Sequence, residues 1–350
     1  MRRLDLAGPR HCRKVDSRDS AGSEGRLTKR TAVVGAGLAG LACARVLRRS
    51  GCYVEVFEAD RIVGGRLATT RMGLASFDHG AQYVTARSTQ FQNYLKELHD
   101  TGYAARWTPR SVTGEAGGGQ ILPWYVGTPG MASMVRPLAE SVRIRAGRRV
   151  HTIEQLDKGW FLWFDDETSV GPFAAVAITV PAPEATLMLG RLDDLAEPLS
   201  RVRMSPCWAL IVRLEQQAFP EQDVYSDMSE VIRWIARNST KPGRGTIGES
   251  IVVHASQGWS REMEDVDPEA VADALWGEVC QTLGLKPVRP AQMVAHLWKH
   301  GIADQHLGES YVFSTEHRVG VAGDWCLGRL AEHAFESGAS LGRAIIAALN

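Results

Sequence analysis

The spacing of apolar residues near the amino terminus predicts a strand, a tight turn, a helix and a second strand. A short apolar strand over 31–34 leads into glycines at positions 35, 37 and 40. Apolar residues then recur at helical spacing from Leu38 to Leu47, and Gly51 ends the helix. The alternating segment 53–57 predicts the second strand, which ends at Glu58. These elements form a βαβ unit with a glycine-rich first turn.

The glycine turn and the acid at the end of the second strand together predict a dinucleotide site. Gly35 permits the tight turn, Gly37 lets the backbone approach a pyrophosphate, and Gly40 lets the helix pack closely on the strand. The helix N-terminus offers free N–H groups and partial positive charge to that pyrophosphate. The carboxylate of Glu58 can accept hydrogen bonds from ribose hydroxyls.

Beyond this unit the pattern alternates between strands and amphipathic helices. A helix is predicted from Ser88, a second over 268–283 and a third after Leu330. The Gly-rich segment 111–120 predicts a loop or a hairpin turn. Apolar or alternating runs predict strands over 142–145, 149–153, 159–164, 174–180, 207–214, 231–236, 250–254 and 292–298.

Composition narrows the class of protein. The 350 residues are enough for two lobes, and 44% hydrophobic with 23% charged residues is typical of a globular chain. Because the formal net charge is zero, the sequence gives no electrostatic reason to expect nucleic acid or an anionic membrane as a partner. No apolar run approaches the roughly 18 residues of a membrane-spanning helix.

Six scattered cysteines without a C-x-x-C pair indicate a reduced, cytoplasmic protein with no metal site. Residues 1–30 are basic and polar and lack the apolar core of a secretory signal, so we expect a disordered tail.

A second glycine segment indicates which dinucleotide is bound. Gly64, Gly65 and Arg66 follow the second strand closely, and a dehydrogenase that binds only NAD has no need of them there. Paired glycines let the chain pass close to a ligand, and the arginine can face its diphosphate. In proteins that bind FAD in extended form, this segment lies along the cofactor.

Three further motifs carry a family resemblance: Gly80-Ala-Gln-Tyr83, Trp124-Tyr-Val-Gly-Thr-Pro-Gly-Met131, and Gly323-Asp-Trp325 followed by the terminal helix. With the two glycine motifs, they resemble the renalase-like branch of the flavin-containing amine oxidase superfamily. The resemblance covers 31–350 in outline, but no motif is matched firmly over 190–315.

The resemblance implies an α/β fold with a Rossmann-like FAD-binding domain and a second, α+β substrate domain built on a mixed or antiparallel sheet. We assign 31–87, 127–189 and 316–350 to the FAD-binding domain, and 88–126 and 190–315 to the substrate domain. The implied contacts to noncovalent FAD are Gly35, Gly37, Leu38, Ala39, Gly40, Glu58, Gly65, Arg66, Gln82, Tyr83, Val150, Gly323, Asp324 and Ala334.

The third predicted helix carries a departure from the family pattern. A helix N-terminus aimed at the flavin stabilises the negative charge that reduction places there. Relatives often have Glu-Gly-Ala at this point, whereas this chain has His333 in place of the glycine. We expect the histidine side chain to point away from the flavin.

The resemblance also implies a donor, although the sequence identifies no catalytic side chain. We expect Tyr83, Trp298, His300 and Trp325 to face the substrate. Many amine oxidases have a flavin-facing lysine on the strand entering the substrate domain; the matching segment 204–212 has none, and Lys299 is placed differently. Renalase-like relatives oxidise isomeric dihydro-NAD(P), and O2 reoxidises the flavin.

Three alternatives stay open at this stage. The first is an amine oxidase or a desaturase of the same superfamily. The second is a flavin-binding protein without turnover. The third is an NADH dehydrogenase, although no second dinucleotide motif is visible in the sequence.

Overall fold

A computed structural model describes residues 29–110, 112–113, 122–140, 142–220, 222–245, 248–285 and 289–350. The expected tail, up to Thr28, and most of the Gly-rich segment 111–120 lie outside these residues; Arg30 already begins the first strand. The helices are α1 (Leu38–Arg49), α2 (Thr89–Asp100), α3 (Arg136–Ala139), α4 (Ala182–Leu189), α5 (Asp193–Leu199), α6 (Gln257–Glu262), α7 (Pro268–Leu283), α8 (Asp324–Leu327) and α9 (Ala331–Leu349).

The strands are β1 (Arg30–Val34), β2 (Tyr53–Glu58), β3 (Thr70–Met72), β4 (Ala75–Phe77), β5 (Ala104–Trp107), β6 (Val112–Thr113), β7 (Trp124–Gly127), β8 (Arg143–Ala146), β9 (Val150–Leu156), β10 (Gly159–Phe164), β11 (Ser169–Phe173), β12 (Ala175–Ile178), β13 (Arg203–Leu214), β14 (Val224–Ser226), β15 (Ile232–Arg237), β16 (Glu249–Ala255), β17 (Gln292–Gln305), β18 (Val312–Ser314) and β19 (Val319–Val321). Short 3-10 turns span Gly65–Leu67, Met131–Val135 and Asn238–Thr240. No helix in this described part of the chain is both long and apolar enough to cross a bilayer.

The first sheet is the parallel sheet that the amino-terminal pattern predicts. Its order is β18-β19-β12-β1-β2-β8, and only β18 runs antiparallel to its neighbour. The strands β1 and β12 are buried along their whole length. Their near-continuous apolar sequences follow from this, because helices or other strands cover both faces of such a sheet. An antiparallel β9–β11 meander joins β8 to β12.

The second sheet has the order β17-β13-β16-β15-β14-β6. All its described pairs are antiparallel except β14 with β6, so the sheet is mixed, as expected. Helix α7 covers one face, burying Val271, Leu275 and Val279 in a core with residues of β13 and β16. Its bounds agree with the predicted 268–283.

Helix α2, which we assigned to the substrate domain with β5 and β7, shares a core with both β5 and the first sheet. Phe91 and Tyr94 lie in the same core as α1 and the first sheet. Their rings lie 5.4 and 4.8 Å from that of Phe335 in α9. The apolar face of α2 is therefore buried on the first domain, because α1 and α9 leave an apolar surface there that β5 and β7 extend.

The closest helix contact in the first domain joins its two ends. A methyl group placed on Gly338 of α9 would lie 1.9 Å from the backbone oxygen of Ala39 in α1. One turn later, Gly342 faces Cys43 and Val46 of the same helix. Glycines four residues apart on α9 thus allow the backbones of α1 and α9 to come into contact. The contact fixes the start of α1 against α9.

A buried cluster of charges joins the two domains. Asp78, just after β4, accepts hydrogen bonds from Lys241 (3.2 Å) and Arg244, which follow β15. None of these three side chains has exposed surface. The same carboxylate accepts hydrogen bonds from the Thr69 hydroxyl and the Met131 backbone. Burial alone would raise the pKa of Asp78, but the two cations hold it below its ordinary value.

The helix contact predicts an asymmetric effect of adding one methyl group. Gly338→Ala should lower the free energy of unfolding by about 1–3 kcal/mol, because the backbone of Ala39 cannot move aside without separating two packed helices. Gly277→Ala on the exposed face of α7, where a methyl group meets nothing within 4 Å, should raise it by up to about 1 kcal/mol. Chemical denaturation of the two variants checks this; equal effects would contradict the packing.

The charge cluster predicts a pH dependence. Burial lowers the pKa of Lys241 from 10.5 to about 8, against the attraction of Asp78. Between these values the unfolded chain binds a proton that the folded chain has released, so Lys241 contributes stability that grows with pH, on the order of 3 kcal/mol over the whole window. Buried cysteines with a raised pKa act in the opposite direction above pH 9.0, so the quantity to measure is the stability of wild type relative to a variant. It should grow with pH relative to Lys241→Met and stay constant relative to the exposed control Lys96→Met. Unfolding titrations from pH 7 to about pH 10 measure it. Parallel curves for wild type and Lys241→Met would refute the assignment.

Candidate active site

A cavity of about 1150 Å³ lies between the two domains. The first domain contributes the carboxyl ends of β1, β2 and β12 and the N-termini of α1 and α9. The second contributes residues of β13, β15, β16 and β17. Ligands bind at the carboxyl ends of the strands in open α/β sheets, and this cavity exceeds the 300–1,000 Å³ or so of an ordinary small-molecule pocket.

The N-terminus of α1 opens into this cavity. Gly37 is its N-cap, and no side chain caps the first turn. A Cβ added at Gly37 would meet nothing within 4 Å, so the backbone here is accessible from the cavity. At Gly40 an added methyl group would lie 2.0 Å from the backbone oxygen of Gly35, which explains why this position is buried behind the turn and does not line the cavity. A ligand phosphate can therefore approach the first turn closely.

Glu58 lies beside this turn at the end of β2. Its carboxylate accepts hydrogen bonds from the backbone N–H groups of Ala36 (2.6 Å) and Asp60 (3.0 Å). Burial raises the pKa of Glu58, while these backbone donors oppose the shift. The carboxylate lines the cavity and is held in one orientation.

Arg66 and Asp324 form a bidentate ion pair across the cavity. The two nitrogen–oxygen distances are 2.9 and 2.5 Å, and Arg66 also donates to the backbone oxygen of Gly301, at 3.1 Å. The family resemblance implies that Arg66 and Asp324 contact the same cofactor. The structure brings them together although 258 positions separate them in the sequence. The pairing sets the guanidinium plane and leaves part of the Arg66 side chain exposed to the cavity.

The amide of Gln82 is occupied by the protein itself. Its nitrogen donates to the backbone oxygens of Asp78 and Gly80, and its oxygen accepts from Lys241 at 3.1 Å. The charge cluster therefore fixes the segment from Gly80 to Tyr83 along the cavity wall. Sequence reasoning missed Lys241, because its partners lie more than 150 positions away along the chain.

Three aromatic side chains form one wall of the cavity; we call them the aromatic wall. The ring of Tyr83 stacks on that of Trp124, with centroids 3.8 Å apart and planes 10° apart. The ring of Trp234 lies 5.7 and 6.0 Å from these two. All three line the cavity. Such a surface accepts a flat ring or a cation.

His254, His296, Trp298 and His300 also line the cavity, and we call these four residues the histidine wall. Trp298 stacks on His79 at 5.2 Å, and His296 lies edge-on to both. Burial lowers the pKa of His79 and of His254 to about 4, and it also lowers those of His296 and His300. These imidazoles are therefore largely neutral at neutral pH. Among the described residues, no group of three or more metal-binding side chains is placed to hold an ion.

The histidine wall was found only in part from sequence. We expected Trp298 and His300 there, and both line the cavity. His296 lies two positions before Trp298, on the same face of β17, because side chains alternate between the two faces along a strand. This alternation indicated His296 in the sequence, and we did not use it. The backbone oxygen of His79 accepts from both Trp298 (3.0 Å) and His254 (3.1 Å), a pairing that no local pattern indicates.

The N-terminus of α9 also faces the cavity, through Ala331 and Ala334. Glu332 turns away and accepts hydrogen bonds from the backbone N–H groups of Arg87 and Ser88, just before α2. His333 accepts from the backbone of Leu330 at 3.4 Å and does not line the cavity, which agrees with its expected orientation away from the flavin. The start of α9 thus presents mainly backbone and small side chains.

Most of the predicted site residues lie together on this cavity. Of the implied cofactor contacts, only Gly40 is absent from its lining. The expectation that Trp325 faces a substrate is wrong. Trp325 borders the cavity, but it has no exposed surface and its indole N–H donates to the backbone oxygen of Val180. It packs in the core beside Cys326, which is also fully buried.

Comparisons with known proteins agree with this architecture. Residues 33–98 match the model of the NAD(P)-binding Rossmann-like domain, and residues 103–346 match that of the flavin containing amine oxidoreductase family. Renalase of Mus musculus is 26% identical over 189 residues, which are 50% of this chain and 54% of that protein. The chain spans about half of the length of that protein, and 14% and 5% of two relatives from Arabidopsis thaliana, protoporphyrinogen oxidase 2 and lysine-specific histone demethylase 1 homolog 3.

Solved structures resemble the chain over most of its length. A putative protoporphyrinogen oxidase from Exiguobacterium has a TM-score of 0.73 at 14% identity, covering 91% of this chain and 98% of that one. Wild-type putrescine oxidase bound to putrescine has a TM-score of 0.70 at 15% identity, covering 91% and 99%. At such identities the likeness shows the fold alone.

The match over 103–346 covers more than half of the chain and includes the histidine wall, Asp324 and most of α9. The two matches place a Rossmann-like domain before a flavin containing amine oxidoreductase segment. The chain belongs to the family of flavin containing amine oxidoreductases.

Proposed function

We propose that this enzyme takes a hydride from an isomeric dihydro-NAD(P), with O2 as the final electron acceptor. The observation that carries the proposal is the character of the cavity's donor end, by which we mean the part lined by the aromatic wall and by β13, β15, β16 and β17. Rings here can hold a flat nicotinamide. The charged side chains at this end are Arg233 and Lys299 against Asp227, a surplus of cations that favours an anionic, phosphate-bearing donor.

The residues at the other end fit noncovalent FAD. The open backbone at Gly37 and the uncapped start of α1 would take the pyrophosphate, and Glu58 would accept from the adenosine ribose. The backbone of Val150 would face the adenine, and the Arg66–Asp324 pair the diphosphate or ribityl chain. Bound there, FAD supplies a two-electron acceptor.

The remaining contacts orient and shield the reacting rings. The segment from Gly80 to Tyr83 would lie beside the flavin, held by the amide of Gln82. The N-terminus of α9, at Ala334, offers partial positive charge where reduction of the cofactor places negative charge. Since burial raises the pKa of Cys207 and of Cys326 to about 12, neither thiol ionises readily for a covalent link.

Amine oxidation is the second candidate, and the aromatic wall is the observation that favours it. Ring faces attract a substituted ammonium ion as well as a flat neutral ring. The strand β13 carries no lysine, however, and the buried Lys241 is directed to Asp78 and Gln82. The cations at the donor end also repel an ammonium ion, so we place this candidate second.

The cofactor assignment predicts a folded variant that does not retain FAD. Gly37→Leu should fold, because a Cβ added there meets no protein atom within 4 Å, the position faces the cavity and the backbone has an extended conformation. Its side chain should occupy the space of the pyrophosphate, so the purified protein should be colourless and should not take up added FAD. The control Gly277→Leu, at an open position on α7, should remain yellow. A yellow Gly37→Leu protein would contradict the assignment.

The proposed donor predicts the outcome of anaerobic mixing. Either 2- or 6-dihydro-NAD should abolish the visible absorbance of the oxidised flavin within the dead time or seconds of a stopped-flow experiment, and admission of O2 should restore it. A panel of amines that includes putrescine should act at least about 100-fold more slowly, since an ammonium ion meets like charge at the donor end. Reduction by an amine and not by either dinucleotide would establish the second candidate.

A further inference from the structure

A second, smaller cavity of about 400 Å³ adjoins the donor end. We call it the side cavity. Asp227 and Arg233 line both cavities, so the two spaces meet at these side chains. The walls beyond them include Glu230, Trp259 and Glu262. Its volume lies in the range of a site for a small organic group.

The backbone is irregular where the cavities meet. In the pairing of β15 with β16, Ile232 stands opposite Ala255 and Trp234 opposite His254, so Arg233 is an extra residue and forms a β-bulge. In a regular strand, neighbouring side chains point to opposite faces. The bulge changes the direction of one of them, and both Arg233 and Trp234 consequently line the main cavity.

The turn before this bulge is fixed in an uncommon conformation. Asp227 has a φ of 49°, in the left-handed region that few residues other than glycine adopt. Its backbone N–H donates to the oxygen of Arg233 at 2.7 Å, and that of Met228 donates to Ile232 at 3.0 Å. Strained backbone of this kind persists at ligand sites, where the surrounding structure over-determines it. The turn holds Arg233 in place.

Arg233 is also available to a ligand. Its side chain is exposed, and within the described ranges of the chain it forms no ion pair with a carboxylate. This contrasts with Arg237 on the same strand, whose guanidinium is buried against Asp223 and Glu249. A guanidinium with free donors at a junction of two cavities matches a phosphate group.

From these observations we infer that the side cavity is the subsite for the second nucleoside of a dinucleotide donor, with Arg233 as the residue that binds its pyrophosphate. The nicotinamide occupies the donor end, and the bound dinucleotide bends at Arg233 into the side cavity. Trp259 is partly buried against the core of the second sheet, and the part of its ring that lines the side cavity offers a stacking surface to the second base. The carboxylates of Glu230 and Glu262 accept hydrogen bonds from ribose hydroxyls. This inference rests on the proposed function, and it makes Arg233 and Trp259 determinants of specificity.

The test uses the FAD-loaded protein and two probes, NAD⁺ and nicotinamide mononucleotide, whose binding is measured by calorimetry. Wild type should bind NAD⁺ about 10-fold more tightly or better, because only NAD⁺ reaches the side cavity. Arg233→Gln should weaken both probes by about 10- to 100-fold, since each carries phosphate that loses a charged hydrogen bond. Trp259→Leu should weaken NAD⁺ by about 5- to 10-fold and leave the mononucleotide unchanged.

Arg213→Gln is the matched control, since Arg213 lines neither cavity and bonds to Gln292. It should change neither affinity. The same four proteins are then mixed anaerobically with the dihydro isomers of both probes, and the rate constant of flavin reduction divided by the Kd of the donor should show the same order.

The outcomes separate this inference from the proposed function. Equal affinity of wild type for both probes, or unchanged NAD⁺ affinity in both Arg233→Gln and Trp259→Leu, would overturn the subsite even where the dihydro isomers reduce the flavin. If no dihydro isomer reduces the flavin while NAD⁺ binding still depends on Arg233 and Trp259, the proposed donor fails and the subsite stands. Retention of FAD and an unchanged melting temperature confirm that each variant is folded.

Discussion

The arrangement of the site depends on one buried, ion-paired carboxylate, that of Asp78. It joins the segment after β4 to Lys241 and Arg244 of the other domain, in a place without exposed surface. Removal of one member of such a cluster leaves uncompensated buried charge, at a cost of about 3–5 kcal/mol. Two domains whose interface is polar ordinarily move relative to each other. Here the cluster fixes their relation, and with it the width of the cavity between them.

The same cluster also fixes the position of the backbone that forms the cavity wall. Lys241 holds the amide of Gln82, and Gln82 in turn fixes the backbone of the segment that ends at Tyr83. Next to Asp78, the oxygen of His79 accepts from Trp298 and His254 of the second sheet. The aromatic wall and the histidine wall are thus both attached to one short segment. Geometry of this kind keeps reacting groups in place without a large cost at the moment of reaction.

The sequence predicted what short-range patterns determine. The order of strand, glycine turn, helix and acid identified the βαβ unit. The structure shows the close packing predicted at Gly40 and an open backbone at Gly37, since each follows from a single contact or its absence. The bounds of α7 and β10 were also predicted, since strong periodicity and clear end signals mark them. The mixed second sheet was expected from the family resemblance.

What the sequence did not indicate depends on distant pairings. Nothing local shows that Lys241 meets Asp78, or that the bulge at Arg233 turns two neighbouring side chains toward one space. The packing of α2 was not indicated either, because an amphipathic face fits any apolar surface, and only the contacts of Phe91 and Tyr94 with Phe335 decide it. Trp325 was misjudged because its position beside Asp324 does not reveal that Val180 accepts from its indole.

The crossing of α1 and α9 has a consequence for how the chain is made. Ala39 and Gly338 touch, although almost the whole sequence separates them. During synthesis on the ribosome, α1 emerges early, and the part of its surface that meets α9 has no permanent partner until α9 follows. Closing so long a loop is slow, and transiently exposed apolar surface favours aggregation. The nascent protein therefore has the greatest need of chaperones in the interval before α9 is released.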